Sequence, residues 1–263
     1  MDKEKQKKIL ILALYAGELL MKNGAEVSRV QDTVTRIVKA CGIQYVESFA
    51  VPTGIFISID NGDSDDDTYT FLKQIKSTST NLNKIAKLNS FSREFVSTDM
   101  TIDEGMAILK AIEDEKPYPF PFRLIGAGVG AGAFSLLIGA NIWEALAAFV
   151  IGMISFCLAV LMNSYNANFF IKNVCCSALS GLLAMALSVA SPLAPLVTYK
   201  PIVVGVLMLF VPGVAITNCI RDLLDGQLIS GESRISEVIL TAVSLAAGAG
   251  IVIKLWTMLG GIF

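Results

Sequence analysis

Phe122-Arg123-Leu124-Ile125-Gly126-Ala127-Gly128-Val129-Gly130-Ala131-Gly132-Ala133-Phe134-Ser135-Leu136-Leu137-Ile138-Gly139 is the stretch on which the fold turns. Its single charge is Arg123, and its length falls within the ~17–25 residues that cross a ~30 Å hydrocarbon core. Four more apolar stretches follow, at about 145–162, 174–190, 201–216 and 236–259. Unpaired backbone groups are too costly in lipid for anything but helix or closed barrel, so these stretches predict an all-α transmembrane bundle of about five helices over 122–263. Gly126, Gly128, Gly130 and Gly132 are expected to serve packing, by letting neighbouring helices approach.

Of the 263 residues, 54% are hydrophobic and only 17% are charged. Of the 44 Lys, Arg, Asp and Glu residues, 34 precede Leu124, so two physically different segments share the chain. A net charge of -2 with no basic stripe leaves out the electrostatic footprint of a nucleic-acid binder. The sequence contains no histidine, which excludes a Ser/His/Asp triad, a Cys/His dyad and His-ligated zinc. The five cysteines lack Cys-x-x-Cys spacing and read as small buried hydrophobes. A Walker-type phosphate loop is also missing, so no nucleotide, metal or other cofactor is expected.

The charged segment alternates signals of helix and strand. Lys3 to Met21 has helical periodicity, and Glu18 and Lys22 interrupt the apolar run that would otherwise resemble a signal peptide, so it is expected to be a first helix. Asn23-Gly24 supplies a stop, and a second helix should run from Glu26 to Ala40. Three β-rich runs follow, at 43–51, 54–60 and 68–75, with a hairpin signal at Asp60-Asn61-Gly62. Asn81 can cap a third helix, and Thr101 with Glu104 forms a capping box opening a fourth. The expectation is an α+β domain over 1–116 and a linker over 117–121, where Pro117, Pro119 and Pro121 block helix continuation. The acidic run Asp60, Asp63, Asp65, Asp66 and Asp67 lacks the glycine and glutamate of an EF-hand loop and reads as a solvated hairpin tip.

Topology follows from the cations. With residues 1–116 in the cytoplasm, Arg123, Lys172, Arg221 and Arg234 face inward, and only Lys200 and Lys254 fall outside. Five spans then put the carboxyl end outside.

The densest polar cluster comes as the fourth apolar stretch ends, in Pro212-Gly213-Val214-Ala215-Ile216-Thr217-Asn218-Cys219-Ile220-Arg221-Asp222-Leu223-Leu224-Asp225-Gly226. Pro212 removes a helical hydrogen bond and Gly213 loosens the next turn, which predicts a break of the kind by which transporters expose backbone dipoles to a solute. If helix resumes, Thr217 and Arg221 share one face, and Asn218, Asp222 and Asp225 an adjacent one. A guanidinium there could grip a carboxylate with two hydrogen bonds, or Arg221 and Asp222 could simply mark the membrane interface. A second reading makes the chain a membrane-anchored enzyme or sensor, with Glu26, Arg29 and Asp32 as acid-base candidates. Their i, i+3 spacing equally suits ordinary stabilisation of a helix face.

Ala16-Gly17-Glu18-Leu19-Leu20, Asn23-Gly24-Ala25-Glu26 with Arg29, Pro52-Thr53-Gly54 and the Asn81 to Asn89 helix resemble the amino-terminal domain of the threonine/serine exporter family. Pro212-Gly213 through Thr217-Asn218 and Arg221-Asp222-Leu223-Leu224 to Gly226, then Gly231 and Arg234, is similar to that family's motif after its fourth span. The resemblance implies a proton-coupled secondary exporter in the cell (inner) membrane, moving threonine and serine or dicarboxylates such as succinate. The break expected at Pro212 and Gly213 would place Thr217, Asn218, Arg221 and Asp222 along the substrate path, and the soluble-domain motif of the resemblance falls on Asn23, Glu26, Arg29, Pro52 and Thr53. Fused relatives have about ten spans. A chain with five therefore looks like the long subunit of a split form, expected to work with a short four-span membrane subunit or with a second copy of itself.

Overall fold

The structure is a computed structural model that describes residues 3–60, 68–190 and 197–258. The chain divides into two units. One comprises Met1–Lys116 with Gly213–Ser236, the other Pro117–Pro212 with Glu237–Phe263.

In the first unit, α1 (Lys3–Lys22) is the central helix, and Ile9, Leu10, Leu12, Leu19 and Leu20 along it are at most 2% exposed. Gly24 ends it with φ +86°, a conformation that side chains with a Cβ resist. Next comes α2 (Val27–Ala40), whose apolar positions Val27, Val30, Val34, Ile37 and Val38 recur at helical spacing and are all buried. Strands β1 (Tyr45–Val51), β2 (Gly54–Asp60) and β3 (Tyr69–Gln74) form an antiparallel meander in that order, with Val51 paired to Gly54 across a two-residue turn and Ile59 to Tyr69. Ile55, Ile57 and Ile59 alternate along β2 towards the core, as the two-residue period of a strand requires. Asn81 caps α3 (Leu82–Ser97), and both halves of the Thr101–Glu104 capping box open α4 (Ile102–Glu113). Asp63 to Asp67 and the Asn61-Gly62 turn lie outside the described residues.

Also in this unit are α9 (Gly213–Leu224) and the first turns of α10 (Leu228–Met258). Gly231 lets α10 lie close over α9, since a Cβ there would meet Leu223 at 2.5 Å.

In the second unit, α5 (Phe120–Leu137), α6 (Ile142–Ser164), α7 (Phe169–Ala190) and α8 (Tyr199–Leu207) join the remainder of α10. Helix α5 starts inside the proline-rich segment, because Pro121 sits in its first turn, where a missing N–H costs nothing. Asn141 and Glu144 make a second capping box at the start of α6, and Glu144 also accepts from the Thr198 N–H at 2.8 Å, just before α8. The interior mixes small residues, Ala131, Ala148, Ala184 and Ala249, with Ile151, Ile202, Val203 and Val206, and Ser155 and Ser180 share a 3.0 Å hydrogen bond within it. Large apolar side chains point the other way, Val129, Leu146, Leu182 and Val243 each being more than half exposed. Small residues at helix contacts and bulky apolar ones on the outer surface suit helices solvated by lipid. The glycine stripe of α5 packs as expected at three of its four positions: a Cβ on Gly128 would meet the Phe149 ring, on Gly130 Leu209, and on Gly132 the Ala145 carbonyl, while Gly126 faces open space.

Four helices among the described residues, α5, α6, α7 and α10, are long and apolar enough to cross a membrane. The stretch 201–216, expected as one span, is instead divided between the nine-residue α8 and the twelve-residue α9. Pro212, without an N–H to donate, and Gly213 stand at the point where regular helix cannot run through, and Pro212 is non-helical.

Candidate functional site

The first unit gathers the sequence's two polar motifs into one cluster at the turn between α1 and α2. Glu26 is the residue preceding α2, but its side chain makes no capping bond, so the first N–H groups of the helix need another acceptor. Asp222 of α9 supplies one: its Oδ1 accepts from the Val27 N–H at 3.2 Å. A carboxylate there also meets the positive end of the helix dipole. The turn's carbonyls are taken up in the same way. Asn218 Nδ2 donates to the Gly24 carbonyl at 2.8 Å, and Arg234 donates to the Ala25 carbonyl at 2.8 Å. Arg221 is hydrogen-bonded to Glu26, Ser28 donates to Asp225 at 3.0 Å, and Gln227 donates to Gln31 at 3.0 Å.

Within this seam the charges fall into two classes. Asp222 is fully buried and Arg234 is 9% exposed, with Arg234 Nε 3.2 Å from Asp222 Oδ2. Burial pushes the Asp222 carboxyl up from its ordinary value, against the downward pull of Arg234 and of the Val27 N–H. Arg221, by contrast, has a side chain 56% exposed, although it too reaches the seam through Glu26. Thr217, also exposed, bonds back into its own helix, to the Gly213 and Val214 carbonyls. A buried pair holds the seam, and an exposed arginine stands at its edge.

The remaining motif residues lie around it. Asn23 ends α1, donating from Nδ2 to the Leu19 carbonyl at 2.7 Å and accepting on its own carbonyl from the Asn81 N–H at 3.1 Å. Arg29 approaches Glu26 at 3.9 Å. Pro52 and Thr53 form the β1–β2 turn, where the Thr53 carbonyl accepts from the Ile75 N–H, and no bond joins them to Glu26 or Arg29 among the described residues. Arg234, Asp225, Gln227, Ser28 and Gln31 join the cluster without having been expected as site residues. Gly231 and Arg234 do follow the motif in sequence, which is the one signal that points to Arg234.

Elsewhere in the unit, Glu18 is 6% exposed and accepts from Lys22 at 2.8 Å and Lys73 at 2.9 Å. Burial raises its pKa, but the two lysines outweigh that and hold it below the ordinary value.

Long apolar helices with small residues at their contacts, joined in one chain to a polar α+β unit, define a multi-pass membrane protein. The ThrE family model, which describes a threonine/serine exporter, matches residues 11–256, nearly the whole chain, and the chain belongs to that family. It is thus a member of a transporter family. No curated protein and no solved structure matches it.

Proposed function

We propose that this chain is a subunit of a secondary exporter that moves small carboxylate-bearing solutes, threonine and serine or a dicarboxylate such as succinate, across the cell (inner) membrane, with proton coupling. The observation that carries the reading is the interrupted helix at Met208–Pro212, followed at once by an amphipathic helix presenting an exposed Arg221. Irregular backbone at membrane depth is tolerated only where it is buried in protein or lines an aqueous cavity, and transporters use such breaks to contact solute.

The seam in the first unit bears on topology. Three long apolar helices, α5 to α7, precede α9, yet α9 bonds to α2 within the first unit. An odd number of crossings would leave α9 on the wrong side of the membrane. A fourth crossing by Thr198–Pro212 restores parity, and α10 then makes the fifth. Nine helical residues rise only ~14 Å, about half the hydrocarbon thickness, so this crossing has to be completed by non-helical chain. On this reading the amino-terminal domain is cytoplasmic.

Pro212, Gly213, Thr217, Asn218, Arg221 and Asp222 divide the work. Arg221 exchanges its carboxylate partner Glu26 for the carboxylate of the solute, whereas Asn218 and Asp222 fix α9 against α2. Since a path is commonly built between two repeats or bundles, the functional unit includes a short membrane subunit or a second copy of this chain. The test is efflux from proteoliposomes loaded with labelled threonine, serine or succinate, with and without a proton gradient and with any co-encoded short membrane protein. Efflux of one of these, accelerated by the gradient, is expected. Tight vesicles that retain all three solutes in every combination would overturn the proposal.

A further inference from the structure

A cleft of about 410 Å³ opens in the first unit between α2 and α3. That volume lies in the range of ~300–1,000 Å³ typical of small-molecule sites. Its walls are two polar helix stripes: Arg29, Asp32, Thr33 and Arg36 recur at helical spacing along α2, and Asn89, Ser92 and Arg93 along α3.

Three features of this lining go beyond a solvated surface. Thr33 and Ser92 are each 3% exposed, both line the cleft, and neither hydroxyl has a hydrogen-bond partner among the described residues. Neither oxygen is itself sealed from solvent, so both are open to a partner supplied by the cleft. The lining carries three arginines against two carboxylates. Arg36 is paired with Asp32 at 2.6 Å and Arg29 approaches Glu26 at 3.9 Å, while Arg93 has no ion pair among the described residues. Glu26 is itself engaged by Arg221, which leaves the positive charge in the cleft less compensated than the bare count suggests.

We propose that this cleft binds a small oxyanion metabolite, a carboxylate or a phosphate, gripped by Arg93 and hydrogen-bonded by Thr33 and Ser92. The planar guanidinium of Arg93 matches either group with two parallel hydrogen bonds. The hydroxyls donate to the oxyanion's remaining lone pairs, and the Asn89 amide adds a further donor from the same face of α3. Arg221 is not part of the lining and reaches the site only through Glu26, so the cleft binds an effector whether or not that solute is also transported.

The experiment uses the purified full-length protein in detergent, with succinate and inorganic phosphate as separate probes and sodium chloride at matched ionic strength as the control. At least one probe should raise the melting temperature above the salt control, and which one does so identifies the group recognised. Arg93 is exposed and unpaired, so Arg93→Ala should fold normally and lose the shift, while Arg93→Lys keeps part of it. Thr33→Val and Ser92→Ala should each raise the apparent Kd by about tenfold. Arg221→Ala, which tests the transport reading, frees Glu26 and should weaken the shift without abolishing it, unlike Arg93→Ala. No shift with either probe, or a shift undiminished in Arg93→Ala, would overturn the proposal.

Discussion

Asp222 accepts a hydrogen bond from the backbone N–H of Val27, 195 positions earlier in the chain, and thereby caps a helix whose own N-cap residue leaves it uncapped. The carboxylate is fully buried and has Arg234 beside it.

Removing one partner of such a pair leaves the other charge buried and alone, at a cost of about 3–5 kcal/mol. Asp222→Asn and Arg234→Met should therefore each lower the melting temperature of the purified protein. The double variant Asp222→Leu/Arg234→Met should recover part of the loss, although the uncapped α2 keeps it below wild type. Single variants as stable as wild type would show that the pair does not hold α9 in place.

Arg221 makes a different prediction because it is exposed. Arg221→Lys retains the charge but not the planar two-bond grip, so substrate efflux normalised to folded protein should fall by roughly tenfold or more, with Arg221→Ala lower still. The melting temperature should hardly change in either. Efflux that survives the lysine substitution intact would leave Arg221 a simple anchor at the membrane surface.

Glu18 provides a pH dependence. Its folded-state pKa is depressed below the ordinary 4.5, so the stability it contributes is fully present above that value and is lost as pH falls through the lower folded value. Acid melting curves of wild type should show a loss in this window that is smaller in Glu18→Gln, a variant already weakened at neutral pH. Identical slopes for the two proteins below 4.5 would count against the assignment.

Two glycines separate close packing from open space. A Cβ on Gly205 would lie 2.7 Å from the Ala131 carbonyl oxygen, a backbone atom that cannot swing aside, so Gly205→Ala should destabilise by about 1–3 kcal/mol. Gly126 has nothing within 4 Å, and Gly126→Ala should be neutral or slightly stabilising. Thermal melts of the two variants side by side measure the contrast.

The five-crossing topology is tested by labelling. In a cysteine-free background, a cysteine at Phe263 should react with an impermeant maleimide in intact cells, and one at Asp114 should react only after lysis. An unreactive Phe263 position would reduce the crossings to an even number.

Features set by neighbouring residues are legible in the sequence itself. The Thr101–Glu104 box, the Asn81 cap, the Gly24 stop and the β2 strand depend on contacts within a few positions, and each leaves a local pattern. The division of 201–216 is half legible: Pro212-Gly213 marks the break, but hydropathy does not show that α8 stops at Leu207. The Asn141-x-x-Glu144 cap follows the same rule as Thr101–Glu104, and is masked by the apolar span that it opens. The seam is illegible for another reason. Asn218, Asp222 and Arg234 bond to backbone groups of residues 24–27, and a carbonyl or N–H in a turn carries no side-chain signature. The α2–α3 cleft is likewise a meeting of two polar stripes, each of which alone resembles a solvated helix face.

The pairing of α2 with α9 also sets an order of events during synthesis. Glu26 leaves the ribosome 195 residues ahead of Arg221, an interval on the order of ten to forty seconds at ~5–20 residues per second. Throughout that time the start of α2 lacks its cap, while the intervening apolar segments must enter the bilayer. Residues of the amino-terminal segment thus emerge well before the helix that completes their unit. The contact between α2 and α9 therefore closes only after all the helices between them have been made.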